Sequence, residues 1–237
     1  MLPKSYPVRE TIPASGLARA TMGLLGVSVV LDLAGIASSW MQYSLLERLG
    51  AGETFPQEVL DGNDNREQLL GFAQIGLMLL TATVFLVWMH RAYKNLETFG
   101  ERDLTFTPRA AVWAWFIPFA NLVRPFKAMT ELWRRSDPAD GEGLGSGAPG
   151  FMKAWWGVWL ASNISGQFVM RSSASADTIP ELLHVTATQA FSSVLSAVAG
   201  VLALIVVRDV AIRQSERSRQ LTSAPSAPAP APALAGQ

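Results

Sequence analysis

Apolar positions along this chain run in long blocks, without the short alternation of a half-buried strand. Four blocks approach the ~20 apolar residues that a bilayer crossing needs. The first covers 18–40 through Leu24-Leu-Gly-Val-Ser-Val-Val-Leu31, the second 69–90, and the fourth 186–207, ending in Gly200-Val-Leu-Ala-Leu-Ile-Val-Val207. The third, 151–170, is the weakest, because Ser162, Asn163, Ser165 and Gln167 interrupt it. A fifth apolar stretch, Val112 to Val123, is broken at Pro118 and followed by Pro125. As a helix it covers only about 18 Å of a core about 30 Å thick. From Pro125 onward the period becomes that of an amphipathic helix. Phe126, Met129 and Trp133 share one face, and Lys127, Glu131 and Arg134 the other. The pattern therefore predicts an all-α fold: an integral membrane four-helix bundle with a Trp- and Pro-rich re-entrant or in-plane element over 109–135.

Charge then orients the bundle. Sixteen of the 19 Lys and Arg residues lie in the N-terminal arm and entry to the first block, in the middle region 91–153, and beyond 207. Only Arg48, Arg66 and Arg171 fall in the two other loops, 41–68 and 171–185. The excess of positive charge marks the cytoplasmic side, so both termini and the 109–135 element are expected there. The acidic loop 41–68 is expected outside. A fifth crossing through 110–123 would place the basic tail outside, which argues against it. Seven of the eight tryptophans, Trp88, Trp113, Trp115, Trp133, Trp155, Trp156 and Trp159, gather toward the inner surface. So one-sided a distribution suggests a packed aromatic layer as well as an interfacial belt.

Composition narrows the classes. The chain is 49% hydrophobic and 16% charged, with no net charge, which leans toward a membrane protein and away from nucleic-acid binding. It has no cysteine and two histidines, so thiolate chemistry is excluded and no metal or cofactor site is expected. Lys4 and Arg9 precede the first block as in a leader peptide, but the block is long and contains Asp32; it is read as a retained crossing. Residues 1–16 form an N-terminal arm, 17–217 the membrane domain, and 218–237 a disordered Pro/Ala-rich tail. Glycines and prolines between Asp137 and Gly150 predict a flexible loop.

Few residues suggest chemistry. Asp32 is the one acid well inside a block, where a charge is costly and needs a partner. Counting depth along the helices places it level with Asn163 and Gln167, so these three are expected to form a polar cluster. The cluster reads either as an interhelical clamp or as a cation or proton site, and the clamp is favoured because no second acid or base accompanies it. Ser192, Ser196 and Gly200 form a small-residue stripe suited to close helix packing, with Gly23 and Gly26 as its docking surface. Arg124, Lys127, Arg134 and Arg135 read either as anionic-lipid contacts or as solvated topology determinants. No catalytic motif is present, and a non-enzymatic protein is expected.

The central segment resembles a bacterial membrane family classed as a domain of unknown function, DUF4328. The resemblance rests on Trp115-Phe-Ile-Pro118, Asn121, Pro125, Glu131-Leu-Trp133-Arg and Ser136-Asp-Pro138, with Trp88, Arg91, Asn95 and the Trp155-Trp156 pair beside them. It extends over roughly 8–217 and implies a bacterial inner-membrane protein, but supplies no activity. The expectation is thus a structural, lipid-interacting or partner-binding module whose partners are membrane lipids, with a homo-oligomer or a further membrane protein left open. A small transporter or channel subunit with a polar path around Asp32 is the alternative; a membrane-embedded lipid enzyme ranks third.

Overall fold

The computed structural model describes residues 15–137 and 147–223, and among these the fold is all-α. Its helices are α1 (Ser15–Gly50), α2 (Gln57–Thr98), α3 (Pro108–Trp113), α4 (Arg124–Arg135), α5 (Gly150–Ser173) and α6 (Ile179–Ser223), with a 3₁₀ turn at Ala120–Leu122. Three of them, α1, α2 and α6, are long and apolar enough to cross a membrane. The chain is a multi-pass membrane protein. At 1.5 Å per residue these three run about 54, 63 and 68 Å, well beyond a hydrocarbon core of about 30 Å. The apolar blocks are therefore the middles of longer helices. α5 follows the weakest block and is not among the three.

Local signals explain where the helices stop. Gly52 and Gly100 take φ of +90° and +85°, a backbone region that favours glycine. Each lets the next N–H turn back onto the helix: Glu53 donates to the Arg48 carbonyl and Glu101 to that of Leu96, both at 3.0 Å. α6 opens with Thr178-Ile-Pro-Glu181, whose Glu181 carboxylate accepts from the backbone N–H of Thr178 at 3.0 Å and of Asp177 at 3.1 Å.

α1 packs against α6 and α2, and α6 packs against α5, giving the spatial order α2, α1, α6, α5. α2 does not pack closely on α5, so a gap separates the two outer helices. At the interfaces, small side chains allow close approach. A Cβ built on Gly200 would lie 2.9 Å from Val29 Cγ2, and one on Gly166 3.8 Å from Ser192 Oγ. The stripe on α6 thus serves internal packing, as its spacing suggests. Gly23 and Gly26 have no neighbour within 4 Å of such a Cβ, so they are not its docking surface; Val29 and Gly35 are.

One end of the array differs from the rest. This aromatic end holds the N-terminus of α1, the C-termini of α2 and α6, the N-terminus of α5, and α3 and α4. The opposite, loop end holds the α1–α2 and α5–α6 connections. Buried residues concentrate at the aromatic end: Trp88, Met89, Tyr93, Leu96, Met129, Leu132, Trp133, Met152, Trp155, Val206 and Val210 join one core. There α4 departs from its expected setting. Met129 and Trp133 are buried under α2, α5 and α6, so its apolar face is covered by protein and does not lie on lipid. The helix also continues past 217: residues 218–223 belong to α6, not to a disordered tail. The expectations for 1–14, 138–146 and 224–237 lie outside the described residues.

Candidate functional site

The aromatic end is assembled from short-range signals and long-range polar ties. Thr107 caps α3, its hydroxyl accepting from the Ala110 N–H at 3.2 Å, and Pro108 occupies the first turn where its missing N–H costs nothing. After α3 the chain turns sharply. Phe119 has φ +62° and ψ −39°, and the Ala120 N–H donates across it to the Pro118 carbonyl at 2.7 Å. This is a γ-turn of positive φ, a rare and strained conformation for a bulky residue. It thrusts Phe119 outward, leaving it 87% exposed. Trp113, Phe116, Ile117, Leu122 and Val123 are exposed around it.

One residue back, Trp115 turns inward. Its ring meets Phe85 of α2 at 5.4 Å and Trp159 and Trp156 of α5 at 5.5 and 5.9 Å, all edge-on. Trp156 stacks on Trp159 at 4.7 Å and donates its indole N–H to the Leu122 carbonyl at 3.0 Å. The aromatic layer expected from the tryptophan count is therefore real, and it bridges the α2–α5 gap at this end. Trp113 stays outside it. Because Phe85 and Met89 end the apolar block of α2, the exposed loop 116–123 lies level with that end of the block.

Polar ties fix α4 in place. The Glu131 carboxylate accepts from the backbone N–H of Thr105 at 2.6 Å and of Phe106 at 3.2 Å, and from the Tyr93 hydroxyl at 3.2 Å. It organises the α2–α3 connection and does not face solvent as the helical period suggested. Tyr93 also donates to the Ala128 carbonyl at 2.7 Å. Buried Gln214 of α6 donates to the Ala92 carbonyl at 2.9 Å and Ser136 Oγ at 3.1 Å, and accepts from Asn95 at 3.0 Å. Arg213 pairs with Asp137 and Asp209 and lies 3.9 Å above the Trp133 ring. Arg217 and Arg135 share Glu101, at 2.6 and 3.0 Å. These ties hold the extended end of α6.

Beside them opens a cleft of about 530 Å³, lined by Lys127, Arg134, Arg135 and Arg217 together with Glu101, Glu131, Asp137 and Phe126. All three carboxylates are already engaged as described. Of the four basic residues singled out from sequence, Lys127 and Arg124 are exposed, with Arg124 5.8 Å from the Phe106 ring. Arg135 is committed to Glu101, and Arg134 is half-buried in the cleft wall.

A match to the family model described as a domain of unknown function, DUF4328, spans residues 52–211, more than half of the chain. The chain belongs to the DUF4328 family. No curated protein and no solved structure matches it. The residues carrying the family resemblance, Trp115, Pro118, Asn121, Pro125, Glu131 and Trp133, fall at the aromatic end of this DUF4328 protein. Trp115, Glu131 and Trp133 tie α4 and its approach to the long helices, Pro118 precedes the γ-turn, and Pro125 is buried in the first turn of α4. Asn121 is half-buried in the 3₁₀ turn.

The expected intramembrane cluster does not assemble. Asp32 lies near Ser196 of α6. Asn163 and Gln167 are exposed on α5, and the Asn163 amide donates to the Trp159 carbonyl of its own helix at 2.7 Å. α6 stands between α1 and α5 and separates Asp32 from the other two. Sequence reasoning missed Glu67, which lies at the loop-end border of the α2 apolar block. It accepts from Ser38, which in turn accepts from Arg66 Nε at 2.8 Å.

Proposed function

We propose that this protein is a non-catalytic lipid-binding module of a bacterial inner membrane, with its aromatic end and both termini cytoplasmic and α5 as a fourth crossing. The excess of Lys and Arg at the aromatic end supports the orientation. About 36 Å of helix in α5 suffices for a crossing. The observation that carries the reading is the γ-turn loop: six exposed apolar side chains between Trp113 and Val123, followed at once by the exposed cations Arg124 and Lys127. Apolar groups at the acyl boundary with cations at headgroup level are how interfacial elements hold anionic lipid.

The test is the lipid retained by protein purified from native membranes. The Arg124→Gln/Lys127→Gln variant is expected to lose severalfold of its bound anionic phospholipid while zwitterionic lipid is unchanged. Equal anionic lipid on both proteins would end the proposal. A transporter with a polar path is the second reading, favoured by one observation: Glu67 and Gln74 share a cavity wall, and Gln74 and Ser193 both approach Gly35.

A further inference from the structure

At the loop end, where no aromatic layer bridges the gap between α2 and α5, lies a second cavity of about 270 Å³. It has room for roughly nine waters at ~30 Å³ each. Gln42, Glu67, Gln74 and Gln189 line it, with Ser39 and Thr186. Gln74 and Gln189 lie within the second and fourth apolar blocks. Such groups need hydrogen-bond partners when removed from water. Yet among the described residues the half-buried carboxamides of Gln74 and Gln189 make no hydrogen bond to protein. They are open to the cavity and available to a molecule bound there.

Charge decides what kind of partner. Glu67 is the single charged side chain in the wall, and no Lys or Arg lines the cavity. Arg66 approaches Glu67 only at 3.6 Å, while its own N–H groups serve Ser38 Oγ at 2.8 Å and Asn63 at 2.7 Å. Ser38 donates one hydrogen bond to Glu67, and the Gln42 amide nitrogen lies 3.2 and 3.3 Å from its two oxygens. A carboxylate accepts about four hydrogen bonds, so further donors are accommodated. The wall thus offers carboxylate, carboxamide and hydroxyl oxygens to a donor of positive charge. It has no aromatic face, which is what quaternary ammonium groups use.

We propose that this cavity binds a primary ammonium group, with Glu67 as its counter-ion and the oxygens of Gln74 and Gln189 as further acceptors. A charge-assisted N–H···O⁻ bond would anchor it. The same chemistry is carried by a free small amine and by the ethanolamine headgroup of a phospholipid entering between α2 and α5.

The full chain would be titrated with ethanolamine in detergent, with choline and ethylene glycol as controls, following the thermal unfolding midpoint. In parallel, its midpoint would be compared in nanodiscs of phosphatidylethanolamine and phosphatidylcholine. Stabilisation by ethanolamine with at least tenfold weaker response to choline and glycol supports a soluble amine. Stabilisation confined to phosphatidylethanolamine discs supports the headgroup. Glu67→Gln should weaken either response at least tenfold. Gly71→Leu should abolish it by filling the cavity; Gly71 lines the wall and nothing lies within 4 Å of its added Cβ. This second variant decides the matter if Glu67→Gln fails to fold. No response in either arm, an equal response to choline, or a response that survives Gly71→Leu would overturn the proposal.

Discussion

The two ends of the helix array hold together in opposite ways. Along the α1–α6 interface the backbones approach closely, because Gly35, Ser193, Ala197 and Gly200 present little beyond the main chain. At the aromatic end Trp88, Trp115, Trp133, Trp155, Trp156 and Trp159 pack between the helices with rings and polar ties. Both solutions bury surface, but the second also ties α3, α4 and their loops to the long helices. Small-residue packing tolerates sliding along the helix axis; an indole hydrogen-bonded to a named carbonyl does not.

That contrast can be broken most directly at Trp156, which touches Trp115, Phe126, Trp155 and Trp159. Trp156→Ala should cost about 3–5 kcal/mol of stability, read as a lower unfolding midpoint in detergent. A midpoint within a degree of the parent would show that the layer is decoration. Next in size, Gln214→Leu leaves Asn95, Ser136 and the Ala92 carbonyl without their partner and should cost about 1–3 kcal/mol. Amide hydrogen exchange should then rise first around 92–96 and 132–136; uniform exchange across the protein would contradict a local tie.

The small-residue side is tested by a pair of alanine variants. Gly26→Ala adds a methyl to open space and should stabilise by up to about 1 kcal/mol through helix propensity. Gly200→Ala places its Cβ 2.9 Å from Val29 Cγ2 and should lose that gain or reverse it. Equal midpoints for the pair would show that the interface yields freely. The smallest effect is expected at Phe119. Phe119→Gly relieves the positive-φ strain and should stabilise by roughly 1 kcal/mol, while reducing quenching of the neighbouring tryptophans by lipids brominated near the headgroup. Unchanged quenching would place the loop outside the bilayer.

Much of this architecture is legible in the residues themselves. Block length and hydropathy locate α1, α2 and α6. Pro118 and Pro125 mark where the intervening segment bends. What a linear pattern does not carry is which face meets which neighbour. The stripe Phe126, Met129, Trp133 is equally suited to lipid or to a protein groove, and only the presence of α2, α5 and α6 around it decides. Counting residues places Asp32 and Asn163 at a similar depth, yet the lateral order of helices puts α6 between them. Glu131 reads as an exposed charge on its helix, because its partners, the N–H groups of Thr105 and Phe106, lie a whole connection upstream. Glu67 escapes notice for a similar reason: a carboxylate at the edge of an apolar block looks like an ordinary boundary charge until Ser38 of another helix is beside it.

The pairing of α1 with α6 also bears on how the molecule is made. α1 leaves the ribosome well before its main partner α6, with α3, α4 and α5 synthesised in between. Until α6 arrives, α1 can lean only on α2, and its Gly35 and Val29 surface faces lipid. Two hairpins, α1–α2 and α5–α6, should therefore insert separately and join late. A chain arrested before residue 200 is expected to linger in the membrane as a protease-sensitive intermediate, with α1 still lacking the surface it packs on.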